Sequence, residues 1–393
     1  MKILYLPGYR YPDNLDEPLT SGDLRYSFTL SRALTELGHE VHVITRREGD
    51  DPETSVLDGV NIHRYKSELS KIFSTSFDIS RNRAKLFKKL LPEADLIICN
   101  SALSLEHRQK IEAPIIYIAS GLEDVKNYSF TPKEILGYLA IKLLRDPMKR
   151  RTWKKAVLVN TTAWHEDETL LNWGIPKDKI GTISSSIDTS RFKPMAKEAA
   201  ELRKQHGIEN DDQVILSVSR FTPAKGLLET IAGFDQMNRD NTKLVIVGVH
   251  HSHNSSYYDK VVDAIRAAKN SSNIILLENI SDSELPVYYS LADVTSVFSV
   301  GYDPLPTVII ESMACGTPVV STYFKTREQF IEDEKTGLFA EEANIEDWVA
   351  KTTNLLDSNE LRNSLSQAGL NYVRDNFDHL NIAKEYIRIA ENE

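Results

Sequence analysis

At 393 residues the chain is too long for one ordinary hydrophobic core and points to two domains. Its composition, 41% hydrophobic and 26% charged, is that of a globular protein, and no apolar run is long enough to span a bilayer. A net charge of −10 argues against general nucleic-acid binding.

Taken in chain order, KILYLP stops at Pro7 and Gly8 and reads as a first strand, not a signal peptide. A Gly/Pro-rich loop follows, then the helix pattern LRYSFTLSRALTELG, whose Gly38 sits where a helix end favours a left-handed residue. HEVHVIT is the next strand. Further strands are expected at 95–100, 114–119, 156–160 and 179–184. A second series follows at 213–219, 243–248, 273–278, 294–300 and 318–322, and 377–393 has a helical apolar period. Strands alternating with helices imply parallel sheets covered on both faces. The expected fold is therefore α/β, with two doubly wound domains facing each other across a cleft. The expected boundaries are 1–192 and 193–376, separated near the polar stretch 191–207. Cys99 and Cys315 lie in different halves within apolar segments, which excludes a disulfide framework and indicates a reducing compartment, the cytoplasm.

Charge is unevenly placed. Residues 1–190 hold 27 basic and 26 acidic side chains, the remainder 20 and 31. The segment 141–155 alone has seven cations (Lys142, Arg145, Lys149, Arg150, Arg151, Lys154 and Lys155) against one acid. With the apolar 134–144 ahead of it, it reads either as a solvated helix or as a face for an anionic membrane surface. The HHSH run at 250–253 has no framing acid or cysteine and reads as a polar loop, so no metal is expected.

Three loops of the second half follow strands and lead into helices, where parallel sheets bind ligands. In SRFTPAKG (219–226), Arg220 and Lys225 suit a diphosphate, one as a fork and one as a point charge; solvated loop cations are the alternative. In GYDPLPTVIIESMACGTPVVST (301–322), Pro306 fits a first helical turn and leaves the N–H groups of Thr307 and Val308 for an anion. Asp303 either reaches sugar hydroxyls or caps the helix. Glu311 either accepts from a ribose hydroxyl pair or lies on an outer face; its apolar neighbours favour the first, because an ionised acid there needs a partner. In the third loop Ile280 closes a strand before SDSEL, a capping-box pattern, and its backbone could meet a nucleobase edge.

Together these loops resemble the nucleotide-sugar half of the family 4 retaining glycosyltransferases. That family's pattern is strand–Gly/Ser–Arg–x4–Lys–Gly, then Glu–x7–Glu running into EAMACGTPVV. Here ESMACGTPVVST is close to verbatim, and Asp303 and Glu311 keep the spacing. SGDLRYSFTLSRALTELGHEVHVIT resembles the donor-phosphate loop, with Gly22 at its second glycine and Ser21 replacing the first. The departures are specific: Asp303 stands for a glutamate, and Leu305–Pro306 replace the usual glycine. Ser185 and Ser186 stand in an Asn-Gly place, with Asp188 kept, and Ser120 stands where a histidine is common.

The resemblance implies the GT-B fold of two Rossmann-like domains, with the last helix crossing back to the first. It implies transfer of a hexose from a nucleotide diphosphate sugar, UDP-hexose favoured, to a glycan or lipid-linked hydroxyl in polysaccharide or cell-envelope synthesis. Retention at the anomeric carbon is implied, with no metal or other cofactor. The implied catalytic set is Asp303, Arg220, Lys225 and Ser120. Donor binding falls to Gly22, Arg220, Lys225, Ile280, Leu305, Thr307, Val308 and Glu311. Rival readings are a nucleotide-sugar epimerase, for which the first half lacks a carboxylate–histidine set, and a non-catalytic binder that kept the donor site. A nicotinamide dehydrogenase is disfavoured because no G-x-G-x-x-G follows a strand.

Overall fold

The computed structural model describes every residue except 9, 13–21, 68–79, 120–146, 163–166, 250–254, 302, 304–305 and 393. Ser120, Leu305, the HHSH run and the apolar segment 134–144 therefore lie outside the described residues. The chain divides into two compact units. One is built from the chain up to Ser186 together with the final helix, the other from Ile187–Asp378.

The first unit holds β1 (Lys2–Leu6), β2 (Glu40–Arg46), β3 (Thr54–Leu57), β4 (Val60–Tyr65), β5 (Leu96–Cys99), β6 (Ile115–Ala119), β7 (Leu158–Thr161) and β8 (Ile180–Thr182). They pair in the order β3-β4-β2-β1-β5-β6-β7-β8. Every pairing is parallel except β3–β4, a hairpin turned by Asp58-Gly59, both at positive φ. This hairpin is missing from the sequence reading, although an Asp-Gly pair between short β-branched runs is a hairpin signal.

The first helix, Gly22–Glu36, ends as its sequence requires, with Gly38 at φ 85°. Against it packs the final helix, His379–Glu391. Tyr26 and Tyr386 share a hydroxyl–hydroxyl bond of 2.7 Å, and Asn160 Nδ2 on β7 donates to the Tyr386 hydroxyl at 2.8 Å. Asn160 also accepts from the backbone of Ile183, so a buried polar network fixes the returning helix to the sheet.

The second unit holds β9 (Gln213–Arg220), β10 (Thr242–Val249), β11 (Ile274–Glu278), β12 (Val294–Val297), β13 (Val319–Thr322) and β14 (Leu338–Ala340). Their order, β11-β10-β9-β12-β13-β14, is wholly parallel. Alternate side chains enter separate cores: Val214 and Leu216 join one, Ile215 the other. Both faces are thus covered, which is why these strands read as continuous apolar runs. The strand order reverses between β9 and β12, the place in an open parallel sheet where the loops leaving adjacent strands commonly hold a ligand. The three-residue β14 is too short to carry an alternation of its own and is not foreseen by the sequence.

Candidate active site

The site is built on the reversal point of the second sheet. Arg220 is the last residue of β9 and is exposed. Phe221 turns into the core, and a single 3₁₀ turn, Pro223–Lys225, leads to Gly226 and the helix Leu227–Met237. Gly226 has φ 56°, and a Cβ there would lie 2.5 Å from the carbonyl oxygen of Phe298. Both the left-handed backbone and the close approach require glycine. That approach, with the bond from Val300 N–H to Ala224 O at 3.0 Å, seats the loop after β12 on the loop after β9.

Lys225 and Asp303 meet as a result. Lys225 Nζ donates to Asp303 Oδ1 at 2.7 Å, and the two side chains are 18% and 14% exposed. Asp303 Oδ2 accepts from Ser299 Oγ at 2.9 Å and from Arg327 Nη2 at 3.1 Å. Arg327 is fully buried and also donates to the Asp303 carbonyl, Ser299 Oγ, Ser321 Oγ and the Thr322 carbonyl. Burial alone would raise the Asp303 carboxyl; the charges of Lys225 and Arg327, with hydrogen bonds from Lys225 and Ser299, outweigh it and hold its pKa below the usual value. Burial lowers Arg327 to about 10, against the pull of Asp303 and Glu342, so the guanidinium stays charged at neutral pH. Arg327 is not among the sequence candidates, because KTREQFIEDEK resembles a solvated surface run.

The helix after Asp303 is shorter than its sequence suggests. It spans Val308–Ala314, with Thr307 in the capping place and Pro306 ahead of it rather than in its first turn. Ile309 N–H bonds the Pro306 carbonyl and Glu311 N–H that of Thr307. Glu311 is not on an outer face. It is 1% exposed and accepts from the Tyr289 hydroxyl at 2.7 Å. Ser312 Oγ donates to Thr295 Oγ1 and to the Thr317 carbonyl, and Thr317 Oγ1 donates to the Tyr289 carbonyl. Much of ESMACGTPVV therefore stitches this helix to its neighbours.

The remaining candidates are dispersed. Ile280 does not close the strand: β11 ends at Glu278 and Asn279 turns the chain at φ 55°, so Ile280 lies two residues beyond it, half-buried against the core. Ser281 donates through its N–H and hydroxyl to Glu284, but the helix starts only at Leu285, so the box closes a turn ahead of it. Ser185 and Ser186 are buried, and Asp188 accepts from Ser190 and from the N–H of Arg191, capping the turn there. In the first unit, Gly22 opens its helix with open space where a Cβ would stand.

Residues 198–372 match the profile of the glycosyl transferases group 1, and residues 21–191 match that of Glycosyltransferase Family 4. The chain belongs to the family 4, group 1 glycosyltransferases. This glycosyltransferase is 25% identical over 379 residues to an uncharacterized glycosyltransferase of Methanocaldococcus jannaschii, covering 92% of this chain and 91% of that one. It is 27% identical to the lipopolysaccharide 1,2-N-acetylglucosaminetransferase of Salmonella typhimurium over 224 residues, 56% of this chain and 58% of that protein. Anabaena HepE, solved with UDP and glucose, superposes with a TM-score of 0.76 at 16% identity over the whole of both chains. The two parallel-sheet units have the GT-B fold.

Proposed function

We propose that this glycosyltransferase moves a hexose from a nucleotide diphosphate sugar, UDP-hexose favoured, to a hydroxyl of a glycan or lipid-linked acceptor, with retention and without a metal. The observation that carries the reading is Lys225, placed by Gly226 at the reversal point of the second sheet beside Asp303. A cation held at that point suits the diphosphate of a donor and the charge that develops on its leaving oxygen. Arg220, at the end of β9 ahead of that turn, adds a fork for the second phosphate. The backbone of Thr307 and Val308 offers further donors, and Ile280 a nucleobase contact. Glu311, anchored by Tyr289, faces the ribose, while Asp303 orients the sugar. Gly22 leaves room for phosphate at the start of the first unit's helix.

The Anabaena structure with UDP and glucose supports the donor class, and the Salmonella lipopolysaccharide enzyme supports a cell-envelope acceptor. Ser120 and Leu305 take part only through the family resemblance. The test is a thermal-shift panel of nucleoside diphosphates and sugar nucleotides, followed by donor turnover with and without a glycan or glycolipid acceptor. A raised melting point with UDP-hexose and acceptor-dependent release of UDP support the reading. Internal rearrangement of the donor without acceptor would make the protein an epimerase, and binding without turnover a non-catalytic binder.

A further inference from the structure

We propose that Arg327 is a positioning residue that leaves Lys225 available to a donor diphosphate, by neutralising Asp303 from the interior. The ligand class rests on the nucleotide-sugar reading above; the geometry does not.

Lys225, Asp303 and Arg327 form a cluster of two cations and one anion, with Arg327 linked to Asp303 on the side opposite the ammonium. The Arg327 side chain is 0% exposed and cannot meet an anion arriving from solvent, whereas Lys225 is 18% exposed. If Asp303 had Lys225 as its sole counter-charge, the pair would be neutral, and an incoming diphosphate would have to strand a half-buried carboxylate to win the ammonium. Arg327 removes that conflict. Its Nη2 donates to Asp303 Oδ2 and to Ser299 Oγ, and Ser299 donates in turn to the same Oδ2. Asp303 therefore keeps two donors and a counter-charge when Lys225 turns away from Oδ1.

The guanidinium has further partners of its own. It is held by the carbonyls of Asp303 and Thr322 and by Ser321, and it stacks 4.7 Å from the Phe324 ring. A buried charge of this kind adds little to stability over a well-packed apolar residue, which favours a role in setting the local field. Lys225 is consequently the outward charge of the cluster and Arg327 its buried support.

The test titrates inorganic pyrophosphate and UDP against the wild type, Arg327→Lys, Arg327→Gln, Asp303→Asn and the Arg327→Gln/Asp303→Asn double variant. Loss of the buried charge in Arg327→Gln should weaken both ligands about tenfold or more, with Arg327→Lys in between. Removing the carboxylate as well should bring affinity back to within about threefold of wild type, a recovery that a merely structural arginine would not allow. Asp303→Asn alone should bind as tightly as wild type or tighter. If Arg327→Gln does not fold, this last variant decides: weaker binding by Asp303→Asn overturns the proposal, and equal or tighter binding supports it. A folded Arg327→Gln with wild-type affinity, or a double variant without recovery, also overturns it. Pyrophosphate binding with the expected pattern but no UDP binding would sink the UDP donor reading and leave the role of Arg327 standing. UDP binding indifferent to Arg327 does the reverse, and a wild type that binds neither ligand removes both.

Discussion

Lys225 and Asp303 are 78 positions apart in the chain and 2.7 Å apart in space, and the chemistry proposed for each differs. Lys225→Ala removes the ammonium at the leaving-group phosphate and should lower transfer by about two orders of magnitude or more, with the fold retained by circular dichroism. Near-normal turnover would return Lys225 to an ordinary loop cation. Asp303→Asn should lower turnover without weakening nucleoside diphosphate binding, because its assigned partner is the sugar. Glu311→Gln should instead weaken the nucleotide, since a buried acceptor anchored by Tyr289 becomes an amide. Calorimetric titration of both variants with UDP decides between them, and an equal loss in the two ends this division of labour. Two histidines of the first unit carry a separate expectation. Burial first, then neighbouring positive charge, lowers His63 and His107 to about 4 from 6.5. Between those values the unfolded chain binds more protons than the folded one, so stability rises with pH and is lost as pH falls through the window. The melting temperature should drop from pH 7 to pH 5, and less steeply in a His63→Gln/His107→Gln variant. A flat profile, or equal slopes, would show that these rings titrate freely.

At the scale of elements, the turn Pro223–Gly226 decides where the cations stand. Gly226→Ala would force an L-residue to φ 56° and drive its Cβ to 2.5 Å from Phe298 O. Left-handed strain costs on the order of 1–3 kcal/mol before the clash is counted. The variant should melt at lower temperature and lose activity beyond what the melting shift explains, because Lys225 and the loop after β12 move apart. Unchanged melting and turnover would mean that the two loops are not mutually seated. Most of this architecture was legible in sequence: the strand series, the helix ended by Gly38, and the Asp303–Glu311 spacing. The Asp-Gly hairpin was legible and went unread. Pro306 misled because a proline before a helix and a proline in its first turn share the same local pattern, and only the bonds of Ile309 and Glu311 place the start at Val308.

For the whole molecule, charge separates the two halves and bears on the acceptor. Among the described residues of the basic segment, 147–155 is helical, with Thr152 and Trp153 buried and Arg150, Arg151, Lys154 and Lys155 exposed. Trp153 stacks on Trp173 at 5.2 Å, so the apolar side of this part belongs to the core and its cations face water. Among the described residues, no helix is long and apolar enough to cross a membrane. We propose a weak, peripheral contact with anionic membrane, each cation near the surface contributing about 1 kcal/mol. Co-sedimentation should favour anionic over neutral vesicles at low salt and be lost at high salt. Equal partition between the two lipids, or binding that survives salt, makes 147–155 an ordinary surface helix.

The sequence by itself determined the alternating α/β plan and the family, because hydrophobic periodicity and the run ESMACGTPVV are local properties written in consecutive residues. It also named Lys225, Asp303 and Glu311 as candidates, since their motif spacing is fixed within one loop or one helix. What only the tertiary structure decided is which of these groups are partners. Arg327, 24 residues beyond Asp303 in a run that reads as solvated surface, is buried against it because β12 and β13 are adjacent parallel strands whose loops leave the sheet at the same end. Burial and counter-charge are properties of neighbours in space, and parallel strands joined by crossovers bring together residues that no local pattern connects.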